Sequence, residues 1–145
     1  MTKRIRVRFG DVVAEGTLDE RRVPRTVAAL WAHLPFRDRA ISSRWSGDLW
    51  RTEGDHDLGG RAWEDPAGQL EAGDIIYASY AGADGTMKCR LGVAWAPSRW
   101  MEPLWKPGSS TVIGKIDVGL AALVTASERL IYEVPPEIEL TRIEE

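Results

Sequence analysis

The sequence predicts a mainly β domain in which about eight short strands close into an antiparallel barrel, with one helix near the N-terminus and one short helix near the C-terminus. Three observations lead there. Ile5, Val7 and Phe9 alternate with Arg4, Arg6 and Arg8, the period-two pattern of a strand with one buried and one wet face. Similar short runs recur between Gly, Pro and Asp turns along the whole chain, while one early stretch carries a clear helical stripe; many strands with few helices favour closure, which removes exposed edges. Finally, "TVIGKIDVGLAAL", residues 111–123, interrupts an apolar strand at Gly114 and again at Gly119. A glycine inside a strand marks a close backbone approach or a sharp bend, as a closing barrel needs, and Lys115 beside it is expected on the outer face.

The elements follow in order. After the first strand, Gly10 and Asp11 make a turn and "VVAEGTL" is the hairpin partner. Val23, Val27, Leu30, Trp31 and Leu34 share one helical face, with Pro24 suited to the first turn and Pro35 ending the helix. Arg21, Arg22 and Arg25 crowd the positive end of that helix dipole, where carboxylates are favoured, and Asp19 and Glu20 are the expected compensation. "FRDRAISSRWSGDLWRTE" reads as two strands joined near Ser46 to Asp48. Residues 53–72 lose all periodicity and read as a long loop; "GDIIYASY" and "TMKCRLGVAW" are strands flanking an "AGADG" turn. Residues 96–109, with three prolines and two tryptophans, form a second irregular excursion. Gly119 then turns the chain into the short helix "LAALVTA", and "ASERLIYEV" and "EIELTRI" supply the last strands.

Composition bounds the function. The 145 residues suit one domain, 1–145, and 43% hydrophobic with 28% charged residues is ordinary for a globular protein with a single core. A net charge of −3 gives no general attraction to nucleic acid, so no nucleic-acid partner is expected. No window has the length of a membrane span or a signal peptide, which predicts a cytoplasmic protein without a membrane partner. Cys89 is the single cysteine, so there is neither a disulfide nor a cysteine-based zinc site to expect, and no cofactor motif is present.

Two stretches carry a family resemblance. "VIGKIDVGLAAL" resembles the cyclophilin segment in which a Val-Phe-Gly-Lys-Val strand precedes Gly-Met and a short helix. "LDERRVPRTVAAL" is similar to the cyclophilin entry into the first helix, Ala-Pro-Lys-Thr-Val-x-x-Phe. The resemblance implies a cyclophilin-like eight-stranded barrel capped by a helix at each end. The middle departs from it. Where cyclophilins carry Phe-x-Arg-x-Ile-x-x-Phe-Met-x-Gln-Gly-Gly-Asp with the catalytic arginine, this chain has "FRDRAISSRWSGDLW". Phe36, Arg39 and Ile41 fit the start in part, Arg44 and Trp45 replace the aromatic and Met positions, and no Gln-Gly-Gly follows. The chain is more similar to small bacterial cyclophilin-like proteins of unknown function, in which a Gly-Asp pair starts a mid-chain strand, as at Gly73 and Asp74. Prolyl isomerase activity is therefore not expected; if retained, it would run through Arg39, which in the family polarises the amide during rotation.

The expected site lies where the resemblance breaks down. Six of the seven tryptophans fall between positions 45 and 105. Arg44, Trp45, Tyr77, Arg99 and Trp100 are the expected ligand-binding residues, arginine donors beside aromatic faces that suit a small polar or aromatic metabolite. For any single tryptophan, packing is the commoner role. The segment 95–105 is alternatively a subunit interface, giving a homodimer or other homo-oligomer. His56 between Asp55 and Asp57 superficially suggests a metal, but neighbours on an extended chain point apart, so no metal site is expected. Glu64, Asp65, Glu71, Asp74 and Asp84 are loop carboxylates available as bases, and Cys89 reads as a buried small hydrophobe.

Overall fold

The computed structural model describes residues 2–43, 47–99 and 110–144, and of Trp63 the backbone alone. Among the described residues, ten strands and two α-helices run in the order β1 (Arg4–Phe9), β2 (Val12–Leu18), α1 (Pro24–Ala32), β3 (Phe36–Ser42), β4 (Leu49–Thr52), β5 (Gln69–Leu70), β6 (Asp74–Ala81), β7 (Met87–Ala94), β8 (Ser98–Arg99), β9 (Ser110–Val118), α2 (Leu120–Glu128) and β10 (Glu137–Ile143). Eight of the strands close an antiparallel barrel in the order β1-β10-β3-β4-β7-β6-β9-β2, and β5 pairs with β8 in a separate two-stranded ribbon.

The barrel is the one the alternation predicts. Ile5, Val7 and Phe9 point inward from β1 and join Val27 and Leu30 of α1 and Leu123 of α2 in one buried cluster. The arginines between them face out. Closure needs backbone contact between β2 and β9, and here Gly114 explains itself: a Cβ at this position would lie 2.4 Å from the Thr17 carbonyl oxygen, so only glycine fits. Gly119, at φ 79°, makes the left-handed entry into α2, and Lys115 is on the outer face, paired with Glu71 at 2.9 Å.

Three sequence expectations change. Residues 126–134 are not a strand; α2 continues to Glu128 and turns follow to residue 133, because Leu123 and Ser127, one helical turn apart, are both fully buried. The 53–72 stretch is irregular but firmly attached, and it contains a 3-10 turn at Ala62–Glu64 as well as β5. Its backbone bonds reach across the barrel end: His56 bridges Cys89, the Tyr77 hydroxyl donates to the Gly60 carbonyl at 3.0 Å, and Ala62 N–H donates to Ser79 Oγ at 2.8 Å. The dipole conflict at α1 is resolved mainly by a residue far away in sequence. Val23 caps the helix and has no side-chain acceptor; both carboxylate oxygens of Glu64 instead accept from Arg25 N–H at 3.0 Å and Thr26 N–H at 2.9 Å. Asp19 contributes one bond, to Arg22 N–H, and Glu20 pairs with Lys3.

The outer face is not uniform. Leu49, Ile76 and Ala94 project outward from β4, β6 and β7 and form a second apolar cluster with Leu70 of β5, flanked by Val112. The β5–β8 ribbon covers this side, so β6 is buried on both faces over 74–79, which is why its apolar residues 75–78 are consecutive rather than alternating.

Candidate functional site

Across β1, β10 and β3 the outer face stays open and holds a groove of about 880 Å³. Register builds it. Arg8 stands opposite Glu139, which in turn stands opposite Arg37, while Glu137 stands opposite Arg39 on the next row. Asp11, Asp38, Glu53 and Pro136 complete its walls. Arg8, Arg37, Arg39, Glu137 and Glu139 sit at outward positions of alternating strands, so the pattern that fills the core also sets out this array.

Some of the charges are already engaged. Arg37 Nε meets Glu139 Oε2 at 2.5 Å. Asp38 accepts from Arg39 N–H at 2.7 Å, from Gly54 N–H at 3.0 Å and from His56 Nε2 at 2.6 Å, and the His56 ring stands edge-on to Phe36. Asp38 is therefore a brace that ties residues 54–56 to β3. Arg8, Arg39, Asp11, Glu53 and Glu137 form no ion pair among the described residues. Beyond the groove, Tyr80 donates to Asp55, and Arg90 bonds both groups while its guanidinium lies 4.6 Å from the Tyr80 ring centroid. Burial, helped by the Asp55 hydrogen bond, pushes the Tyr80 phenol up to about 12; the same bond, with Arg90, holds Asp55 below the ordinary carboxylate value.

The expected site residues separate. Arg44, Trp45 and Trp100 lie outside the described residues. Their described neighbours touch, since Asp48 N–H donates to Ser98 Oγ at 2.9 Å and Trp95 N–H to the Asp48 carbonyl at 2.8 Å. Arg99 lines a second groove, of about 710 Å³, between the ribbon and the start of β6. Tyr77 lines neither groove; it is fully buried, its hydroxyl is held by Gly60, and burial raises its pKa. Among the other tryptophans, Trp50 packs against Phe9 in the core and Trp95 is buried in the same cluster. Cys89 is buried, as expected, and burial pushes its thiol up, away from reactivity. Arg22 is no free cation: it pairs with Asp65 at 2.5 Å and donates to Thr111 Oγ1 at 3.0 Å, fastening the long loop to β9. Among the described residues no group of three or more His, Cys, Asp or Glu is placed to hold a metal ion, and no helix is long and apolar enough to cross a membrane. Sequence reasoning missed the groove on β1, β10 and β3, although alternating charges on β1, β3 and β10 were its visible trace.

No protein-family model and no curated protein sequence matches the chain. Solved structures do. The chain is similar to the mimivirus cyclophilin, with TM-score 0.63 and 10% identity over 97% of this chain and 87% of that one. It is also similar to the hypothetical protein AF2241 from Archaeoglobus fulgidus, with TM-score 0.58 and 22% identity over 98% of this chain and 95% of that one. A third likeness is to McbB, solved in complex with tryptophan, with TM-score 0.60 and 15% identity over 97% of this chain; the chain spans 45% of the length of McbB. Together with the closed eight-stranded barrel, these likenesses establish a cyclophilin-like fold. At such identities they establish the fold alone.

Proposed function

We propose that the chain binds a small polar or aromatic metabolite on the outside of its cyclophilin-like barrel, in the groove over β1, β10 and β3. One observation carries this reading. Arg8 and Arg39, on the strands either side of β10, line a groove large enough for a metabolite, and neither has an ion-pair partner among the described residues although Glu53 and Glu137 line it too. A guanidinium left open in a concavity is a directional donor for a ligand carboxylate or carbonyl. That McbB was solved with tryptophan supports a small-molecule role for a barrel of this kind. The Gly-Asp pair at the start of β6 and "VIGKI" in β9 support a place among the small bacterial cyclophilin-like proteins, acting in the cytoplasm. Thermal-shift screening against a broad metabolite set, with each hit repeated on Arg8→Ala and Arg39→Ala, tests the reading. Hits that weaken in both variants are the expected result; no hit from the whole set would remove it.

Prolyl isomerase activity is the second reading, and Arg39 is its basis, since it lies in a groove at the position where the resemblance puts the cyclophilin arginine. A protease-coupled isomerisation assay decides. Equal rates for wild type and Arg39→Ala would eliminate it.

A further inference from the structure

We propose that the groove over β1, β10 and β3 selects a zwitterion, a compact molecule with one ammonium and one carboxylate of the free α-amino acid class; this rests on the binding role proposed above for the same groove. Internal pairs take up part of the charge in the groove and leave the rest open. Arg37 and Glu139 satisfy each other at 2.5 Å, and Asp38 is taken up by Arg39 N–H, Gly54 N–H and His56. What remains in the lining is two cations, Arg8 and Arg39, and three anions, Asp11, Glu53 and Glu137.

Their order on the sheet matters more than their number. β10 lies between β1 and β3, and neighbouring strands are about 4.8 Å apart, so Glu137 rises directly opposite Arg39, while Arg8 stands on the next row, two strands from Arg39 and diagonal to Glu137. A simple anion drawn to Arg39 meets the carboxylate of Glu137 on the neighbouring strand, and a simple cation drawn to Glu137 meets Arg39 there, with Arg8 on the diagonal. Repulsion against each single-charge ligand is as much a source of selectivity as attraction. A molecule carrying both charges a few bonds apart places its carboxylate on an arginine and its ammonium on Glu137. Arginine suits the first contact because its planar fork matches a carboxylate in two parallel hydrogen bonds.

The test uses the full chain and two matched series, each differing only in charge: L-phenylalanine, 3-phenylpropionate and 2-phenylethylamine; and L-alanine, propionate and ethylamine. Affinities are read by saturation-transfer NMR and calorimetry. In at least one series the amino acid is expected to bind roughly fivefold or more tighter than the acid or the amine, the scale of one exposed charge contact. Glu137→Gln should remove the advantage over the acid by weakening the amino acid and tightening the acid; Arg39→Ala should remove the advantage over the amine by weakening the amino acid and tightening the amine. Arg6→Ala, an exposed arginine of β1 outside the groove, should change nothing, and an equal loss there would show general electrostatics and overturn the proposal. Equal binding of acid and amino acid with no effect of Glu137→Gln overturns it in favour of an anion site. If none of the six probes binds while another metabolite does so through Arg8 and Arg39, the zwitterion proposal fails and the binding role stands. If nothing binds from the wider set either, both fail.

Discussion

The two outer faces of one barrel have opposite fates. Over β4, β7 and β6, Leu49, Ala94 and Ile76 point outward and are covered by Leu70 from the β5–β8 ribbon. Over β1, β10 and β3, the outward positions are Arg8, Glu139, Glu137, Arg37 and Arg39, and the face stays open as a groove. An apolar face must be removed from water, and here irregular chain does it. A charged face remains solvated and needs no cover, and it is the side left accessible to a ligand.

The largest effect should come from putting a charge under the ribbon. Ile76→Asp is expected to cost more than about 4 kcal/mol, measured by urea unfolding, because it combines lost apolar burial with an unpaired buried carboxylate. A loss below about 1 kcal/mol would mean that the ribbon is only loosely seated and that the two faces do not differ as described. A middling effect is expected where loop 53–72 meets α1. Glu64→Gln should cost about 1 kcal/mol, the usual value of a helix cap. Burial works against the Glu64 carboxylate, but the N–H groups of Thr26 and Arg25 outweigh it and hold its pKa below the ordinary value of 4.5. Its ionised form is therefore the one the fold favours. The stabilisation is complete above that ordinary value and fades as pH falls through the lower folded-state value, so unfolding curves of wild type and Glu64→Gln should converge in acid. A gap that widens below pH 4.5 would contradict the cap. The smallest effect belongs to the open face: Arg37→Ala should shift stability by no more than about 0.5 kcal/mol although it removes a close ion pair, since exposed pairs contribute little. A loss of 2 kcal/mol would show the groove to be structural.

Much of the barrel was legible because alternation is a local property. In β1, and in β9 around Gly114 and Gly119, each residue's side of the sheet follows from its place in the run, and the structure agrees. Segment 126–134 misled because Leu130, Ile131 and Tyr132 look like strand residues singly, while the helix before them was already settled by burial of Leu123 and Ser127. The candidate groove was hardly legible. Its charges come from positions near 8, 37–39 and 137–139, which no spacing rule connects. Of the residues chosen from the sequence, Arg99 lines a groove and Tyr77 lies in the core, a difference set by which face of its strand each occupies and by what packs on that face.

By itself, then, the sequence determined a mainly β barrel with two helices, glycines at the β2–β9 seam and at the entry to α2, and a lone buried cysteine. These follow from periodicity, chain sterics and hydrophobicity, each of which acts over a few neighbouring residues. The tertiary structure alone decided that Glu64 caps α1 across 38 positions of sequence, that Arg142 meets the other end of the helix through the Trp31 carbonyl at 2.6 Å, and that Arg39 stands opposite Glu137 in one groove with Arg8. Those contacts depend on which strands become neighbours when the barrel closes, and closure is a property of the whole chain.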